Sequence, residues 1–365
     1  MIAALKARVD AFLGRGDAAI IVPSFDGALK PNQVLENAEI VAELEAPEDL
    51  ATDGTAVFVA DGNRVLRFDG DVPAEAGRFG GTVTALACLP GGGLAVALAG
   101  TGIVVAGGPH DGLSWDAVGG KTLHAVNAIS ATADGRLLVT DGSRTQPYER
   151  WGHDLMELGR TGRLLEFTPS DGGARELAGG LGYAFGAIAA DNAVWVSESW
   201  RHRVIQCGDG QAGKPVIGGL PGYPSRLSPA AGGGFWLTVF ATRTQLIEFI
   251  LREPAFRKRM MREIEPRYWV APSLHAGNSY LEPMQGAHIK TMGVVKPWAP
   301  PRSYGLVIRL TAGGLMRYSL HSRVDGHNHG VVAAVECRDH LYVLAKGRKR
   351  LLRLSIAEVE RNLQV

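Results

Sequence analysis

The stretch SLHSRVDGHNHG, residues 319–330, holds three of the chain's ten histidines, His321, His327 and His329, together with Arg323 and Asp325. Imidazole titrates nearest neutral pH, so such a cluster is the first place to look for a general base or a metal ligand. His327 and His329 are two apart, which in an extended strand turns both the same way. Asp325 is placed to orient either ring, and His124 is a further candidate base. A loop of solvated histidines is the plainer reading of the same residues. Other reactive types are sparse. Cys88, Cys207 and Cys337 are the only cysteines and are too scattered for a CxxC metal knuckle or a disulfide framework. The GGG runs at 91–93 and 232–234 lack the Lys-Ser/Thr of a phosphate-binding loop and read as hairpin turns.

The elements that must position these residues are written in the composition. Glycine accounts for 48 of 365 residues, hydrophobic types for 46% and charged types for 21%, with a net charge of +1. Ample apolar material with almost no net charge excludes a disordered chain. The absence of a strong positive field argues against a general nucleic-acid binder. At the N-terminus, Lys6, Arg8 and Asp10 interrupt the apolar residues, so no signal-peptide core forms. No run of about 18 apolar residues is present. With the cysteine usage, these features predict a cytoplasmic protein.

A repeat organises the chain. Short Val-, Leu- and Ile-rich runs alternate with DG, GG and DN turns, as in PEDLATDGTAVFVADGNRVLRF from Pro47 and VNAISATADGRLLVTDGS from Val126. The second run of each unit starts near Val57, Leu94, Leu137, Val194, Phe235 and Leu341, at spacings of 37, 43, 57, 41 and 106. Four of these lie near the length of a four-stranded propeller blade, and the last contains an insertion. The pattern predicts an all-β fold, a single six-bladed β-propeller over 1–365, with a strand at about 38–44 completing the last blade. Two segments fall outside it, 144–161 and 242–303. The second, in blade 5, begins with a helical stripe at 244–264 that Pro254 should kink or split, and continues as a Pro-rich loop. Its size is that of a lid over a channel. Arg252, Arg257, Lys258, Arg259 and Arg262 on the helix raise contact with a membrane surface as a reading, with a solvated face the commoner outcome.

These residues carry a resemblance. The segments DGALKPNQVLENAEIV, TDGSRTQPYERWGHDLMELGRTGRLLEF, GLPGYPSRL and REPAFRKRMMREIEPRY, in that order, resemble the strictosidine synthase-like family of six-bladed propellers, related to the gluconolactonase and paraoxonase groups. In a propeller the starts of the innermost strands converge on one mouth of the central channel. Here those positions hold Glu48, His124, Asn127, Tyr183, Phe185, Tyr223, Arg226, His327 and His329.

The resemblance implies a calcium ion (Ca2+) at this point, held by hard oxygen ligands and polarising a carbonyl. Glu48 and Asn127 match two of its ligands. The other two positions carry Phe185 and Ser225, and Arg226 adds a positive charge, a departure that argues against the usual metal and for an ion pair such as Glu48 with Arg226. The resemblance places Val332 where the family's condensing enzymes carry their glutamate, which argues against amine–aldehyde condensation. The expectation is a small-molecule hydrolase acting on a lactone or ester, with His329 or His124 activating water and Tyr183, Phe185, Tyr223, Arg226 and His327 lining the substrate site. A non-catalytic small-molecule binding protein is the alternative.

Overall fold

In the computed structural model, the described residues are 22–364 without 71, 192, 209–210, 276–280, 283–302 and 324–325. Asp325, the expected orienting carboxylate, lies outside them. Among the described residues the chain forms six four-stranded antiparallel sheets and one small two-stranded ribbon. Each sheet starts at an inner strand: Pro47–Thr52, Val83–Cys88, Val126–Ala131, Ala184–Ala190, Gly222–Pro229 and Val331–Cys337. Neighbouring inner strands touch, and the sixth touches the first, so the sheets are the blades of a closed six-bladed propeller. The second strands begin at Val57, Leu94, Leu137, Ala193, Phe235 and His340, each within one residue of its sequence-predicted start. Glu39–Glu43 pairs antiparallel with Arg350–Ser355 and supplies the outer strand of blade 6.

Bare sheet edges do not hold one another, and here side chains cross every joint. The Leu86 amide donates to Asp49 Oδ2 at 3.0 Å, Thr84 Oγ1 to the Val126 carbonyl at 2.7 Å, and Asn127 Nδ2 to the Ala184 carbonyl at 2.9 Å. Ser197 Oγ donates to the Ser225 carbonyl at 2.7 Å and Ser228 Oγ to the Ala334 carbonyl at 2.6 Å. Arg338 Nη2 closes the last joint on the Thr55 carbonyl at 2.7 Å. Each such bond contributes about 1 kcal/mol net.

A second device repeats in three blades. An acid at the end of the second strand, Asp61, Asp141 or Glu198, accepts from amides of the loop that enters the inner strand. The same acid pairs with an arginine opening the third strand, Arg64, Arg163 or Arg203. It holds each entry loop, and therefore the mouth, against its own blade.

On the axis sits one guanidinium. Arg226 Nε lies 2.8 Å from Asp49 Oδ1, and Nη2 donates to the Thr84 and Asn127 carbonyls at 3.0 and 2.6 Å. Nη1 donates to the Val332 carbonyl at 3.3 Å, and the group stacks 5.1 Å from the Phe185 ring centroid. Arg226 thus meets all five other blades. Gly186 permits the approach, because an added Cβ would fall 2.7 Å from Arg226 Cα. The expected Glu48–Arg226 pair is corrected: the partner is Asp49, one residue on. Burial pushes Asp49 up to about 6, against the pull of Arg226 and two amides, which leaves it ionised at neutral pH.

Removing one member of a buried pair leaves an uncompensated charge. We expect Arg226→Met to lose about 3–5 kcal/mol of unfolding free energy. Combined with Asp49→Asn, the loss should fall short of the sum by about 1–3 kcal/mol, read from urea titrations of the two single variants and the double. Simple additivity would show that the pair does not hold the axis.

Candidate functional site at the channel mouth

The inner-strand starts carry most of the residues singled out from sequence, and the structure divides them into three groups. Tyr183, Phe185 and Tyr223 are packed rather than open, at 1, 8 and 0% exposure. Tyr183 stacks on Trp200 at 4.5 Å, Phe185 lies 5.7 Å from Phe240, and Tyr223 lies 5.9 Å from Phe240. Tyr183 is held at φ 58°, a left-handed conformation unusual for an aromatic residue. These residues form an aromatic core under the mouth, and their expected place on a substrate surface is corrected accordingly.

Asn127 is spent on the frame. Its Nδ2 bonds the Ala184 carbonyl and its Oδ1 accepts from Thr140 at 2.6 Å, with no exposure. Ser225 Oγ lies 2.8 Å from Thr238 Oγ1, and Phe185 offers only a ring. The donor set that would hold a calcium ion is therefore committed elsewhere, and the residues present do not fit the metal. Among the described residues no group of three or more His, Cys, Asp or Glu side chains is arranged to hold one.

The histidines separate. A turn at 327–328 replaces the expected extended strand, so His327 is exposed while His329 is buried. His329 Nδ1 is 2.8 Å from the Gly326 carbonyl, which makes it the protonated nitrogen. Burial drives its pKa down to about 4. His321 is enclosed between Tyr304 Oη and Ser319 Oγ, and burial drives it down to about 3. His124 is half-buried in the loop entering blade 3, and its amide faces Asp141 Oδ1 at 3.4 Å. Among the described residues no hydrogen bond joins His124 to His329. Val332 is buried and enters the polar network only through its carbonyl.

The third group is the one with chemistry at the mouth. Glu48 Oε2 accepts from Tyr148 Oη at 2.5 Å and from Lys346 Nζ. Lys346 Nζ also lies 3.5 Å from Tyr148 Oη and 5.3 Å from the ring centroid. Both contacts fall on Oε2; among the described residues none falls on Oε1. Glu48 and Lys346 keep 12 and 19% of their side-chain surface in solvent. Burial, and then the charge of Glu48, raise the Tyr148 pKa well above its ordinary value, so the phenol keeps its proton and donates.

Three separate elements supply this cluster. Glu48 is on the inner strand of blade 1, behind the loop pinned by Asp61. Lys346 opens the turn Lys346–Arg348, where the second strand of blade 6 ends in Ala345 instead of an acid. Tyr148 opens the turn Tyr148–Arg150 within the insertion of blade 3. That insertion is anchored by Asp154, which accepts from Ser143 at 2.5 Å and Trp200 Nε1 at 2.6 Å.

The second insertion lies against the first. Its helix divides at Pro254 into Gln245–Ile250 and Pro254–Glu263. Glu248 ties it to blade 4: although burial opposes it, hydrogen bonds from His202 and Arg243 pull this carboxyl down to about 2. Ile250, Met260 and Trp269 join the same apolar cluster as Leu155, Met156, Tyr183 and Tyr223, and the His153 and Trp269 rings meet at 4.6 Å. His275 reaches blade 6, its Nδ1 2.9 Å from the Gly347 carbonyl. On the basic helix, Arg257 is buried, while Arg259 and Arg262 pair with Glu263. Sequence reasoning missed Lys346, Tyr148 and His275. The signal for Tyr148 stood in the TQPYERW segment, which sequence reasoning set outside the blade pattern and used only as part of the resemblance.

Comparison with known proteins follows this geometry. No family model matches the sequence. The adipocyte plasma membrane-associated protein of Homo sapiens is 27% identical, over 92% of this chain and 82% of its own length. The chain is similar to these membrane-associated proteins. A second relative, strictosidine synthase-like 6 of Arabidopsis thaliana, is 28% identical over 36% of each chain. In structure the chain is similar to a gluconolactonase from Xanthomonas campestris, with a TM-score of 0.55, 13% identity, and coverage of 92% of this chain and 96% of that one. It is also similar to a calcium-binding regucalcin from Agrobacterium tumefaciens, with a TM-score of 0.52, 11% identity, and coverage of 87% and 93%. At these identities the structural likeness shows the fold alone, a six-bladed β-propeller. Among the described residues no helix is long and apolar enough to cross a membrane.

A histidine whose folded pKa lies below its usual 6.5 costs stability as pH falls, because the unfolded chain takes up the proton first. For His329, with a folded value near 4, the loss develops between pH 6.5 and 4 and reaches about 2 kcal/mol at pH 5. His329→Gln removes this dependence. The gap in urea midpoint between variant and wild type should therefore narrow from pH 7 to pH 5. Parallel curves would mean that His329 titrates normally.

Proposed function

We propose that the chain is a metal-independent small-molecule hydrolase acting on a lactone or ester at the Glu48–Tyr148–Lys346 mouth. The observation that supports this reading is the meeting of a carboxylate, an ammonium and a protonated phenol from three elements, with Glu48 Oε1 left for a further partner. Water beside Oε1 gives its proton to Glu48 as its oxygen attacks the carbonyl carbon. The Lys346 ammonium faces the carbonyl oxygen and offsets the charge that develops there, the part a metal plays in other hydrolytic propellers. Glu48 then returns the proton to the departing alkoxide. Tyr148 keeps the carboxylate oriented. The gluconolactonase likeness adds lactone as the substrate class to try first.

The second reading, a binding protein without turnover, is favoured by one observation: Asn127, Phe185 and Tyr223 are all consumed by packing.

On a panel of lactones and aryl esters, turnover should survive EDTA unchanged. Glu48→Gln should lower kcat/KM by about 10²–10³, and Lys346→Met by a similar factor. Tyr148→Phe should lower it less. Turnover that EDTA abolishes would overturn the metal-independent mechanism, and saturable binding with no turnover would favour the second reading.

A further inference from the structure

The end of the channel away from the mouth is open. A cavity of about 160 Å³ lies between the second halves of the inner strands of all six blades. Its floor is the Asp49–Arg226 pair, and beyond that pair the aromatic core closes the way to the mouth. The cavity is therefore blind, and separate from the Glu48 cluster.

Its wall is apolar. Alanines, among them Ala51, Ala87 and Ala187, alternate there with Leu50, Leu86, Ile129, Leu227 and Val335. Interiors are normally packed to crystal-like density, so an apolar space shared by six blades and filled by none of them stands out. The wall hydroxyls are already engaged: Ser130 on the Ala187 carbonyl, Ser228 on the Ala334 carbonyl and Thr52 on the Ala56 carbonyl. The remaining polarity is at the floor. There Arg226 Nε, though 2.8 Å from Asp49 Oδ1, makes no well-directed hydrogen bond and is shut off from solvent. The pair carries no net charge. A charged guest would lose its hydration without gaining a counter-ion, whereas a neutral guest needs none and sets its one polar group against the pair.

We propose that this blind cavity is a second ligand site, taking a neutral molecule of single-ring size whose apolar body packs on the apolar wall and whose one hydroxyl or carbonyl meets the Asp49–Arg226 floor. A cavity of this size holds about one six-membered ring. The ligand class follows from the volume, the wall and the neutral floor, and does not depend on the reaction proposed for the mouth.

The test uses benzyl alcohol on the whole protein, followed by ligand-observed NMR, with benzoate and benzylammonium as charged counterparts. Benzyl alcohol should bind saturably at one site, and both ions at least tenfold more weakly. Ala131→Trp, at the half-buried end of a wall strand, should weaken binding at least tenfold, while Tyr148→Phe at the other mouth should leave it unchanged. Because a bulky variant can misfold, a second reading uses the wild type. Cys88 lines the cavity and is half-exposed, whereas Cys207 and Cys337 are buried. Benzyl alcohol should therefore slow alkylation of Cys88 by iodoacetamide at least threefold. No saturable binding up to about 10 mM, equal binding of the ions, or loss of binding in Tyr148→Phe would each overturn the proposal.

Discussion

A guanidinium cannot shed its charge inside a protein, so wherever it is buried the surroundings must answer that charge. Arg226 stands on the axis of a ring of sheets, and its answers come from a carboxylate in blade 1, carbonyls in blades 2, 3 and 6, and a ring in blade 4. No single blade can satisfy it. The arrangement makes the blades mutually dependent, because a shift of one leaves a buried charge short of a partner. The side-chain bonds across the joints hold the ring at its circumference, and Arg226 holds it at the centre.

That choice governs the mouth. A cation built into the axis removes the electrostatic reason for a divalent ion just above it, and Asn127 is free to join blades 3 and 4 while Ser225 bonds Thr238 within blade 5 and reaches the Val332 carbonyl of blade 6 at 3.4 Å. Glu48 is answered by the ammonium of Lys346. Where the resemblance implies a carboxylate on a metal, this chain carries a carboxylate on an organic cation. The replacement also fixes the two insertions, since Tyr148 bonds the same carboxylate oxygen and the helices after Thr242 pack on the segment that carries it.

Much of the fold was legible because strands and turns are local. Runs of Val and Leu ended by DG or DN turns located the second strand of every blade to within a residue, and Pro254 divided its helix as a missing amide requires. The family resemblance pointed to the mouth at which Glu48, Tyr148 and Lys346 meet. The partners were not legible. Each inner strand carries a bulge near its start, as between Pro47 and Asp49. A bulge breaks the two-residue alternation, so Glu48 and Asp49 serve different sites although they are neighbours. Alternation alone could not tell which of the two would meet Arg226. The same limit applied to His327 and His329, where a turn stands in place of the assumed strand. Lys346 was invisible for another reason: nothing in a lysine's neighbours along the chain reveals a carboxylate some 298 residues away.

The seam between residues 39–43 and 350–355 has a consequence for how the molecule comes into being. Every other strand in a blade pairs within its own stretch of chain, so blades 1 to 5 can assemble as they leave the ribosome. The outer strand of blade 6 is made before the five other blades and must wait for its partner strand, because Glu39 pairs with Arg353. Until then a strand edge stands exposed at both ends of the growing ring, and such edges invite pairing with other chains. The charged pairs along the seam, Glu39 with Arg353 and Glu43 with Arg350, give each waiting edge a sign that its proper partner complements. Closure of the ring is thus a long-range search between strands 314 residues apart, the kind of contact that slows folding.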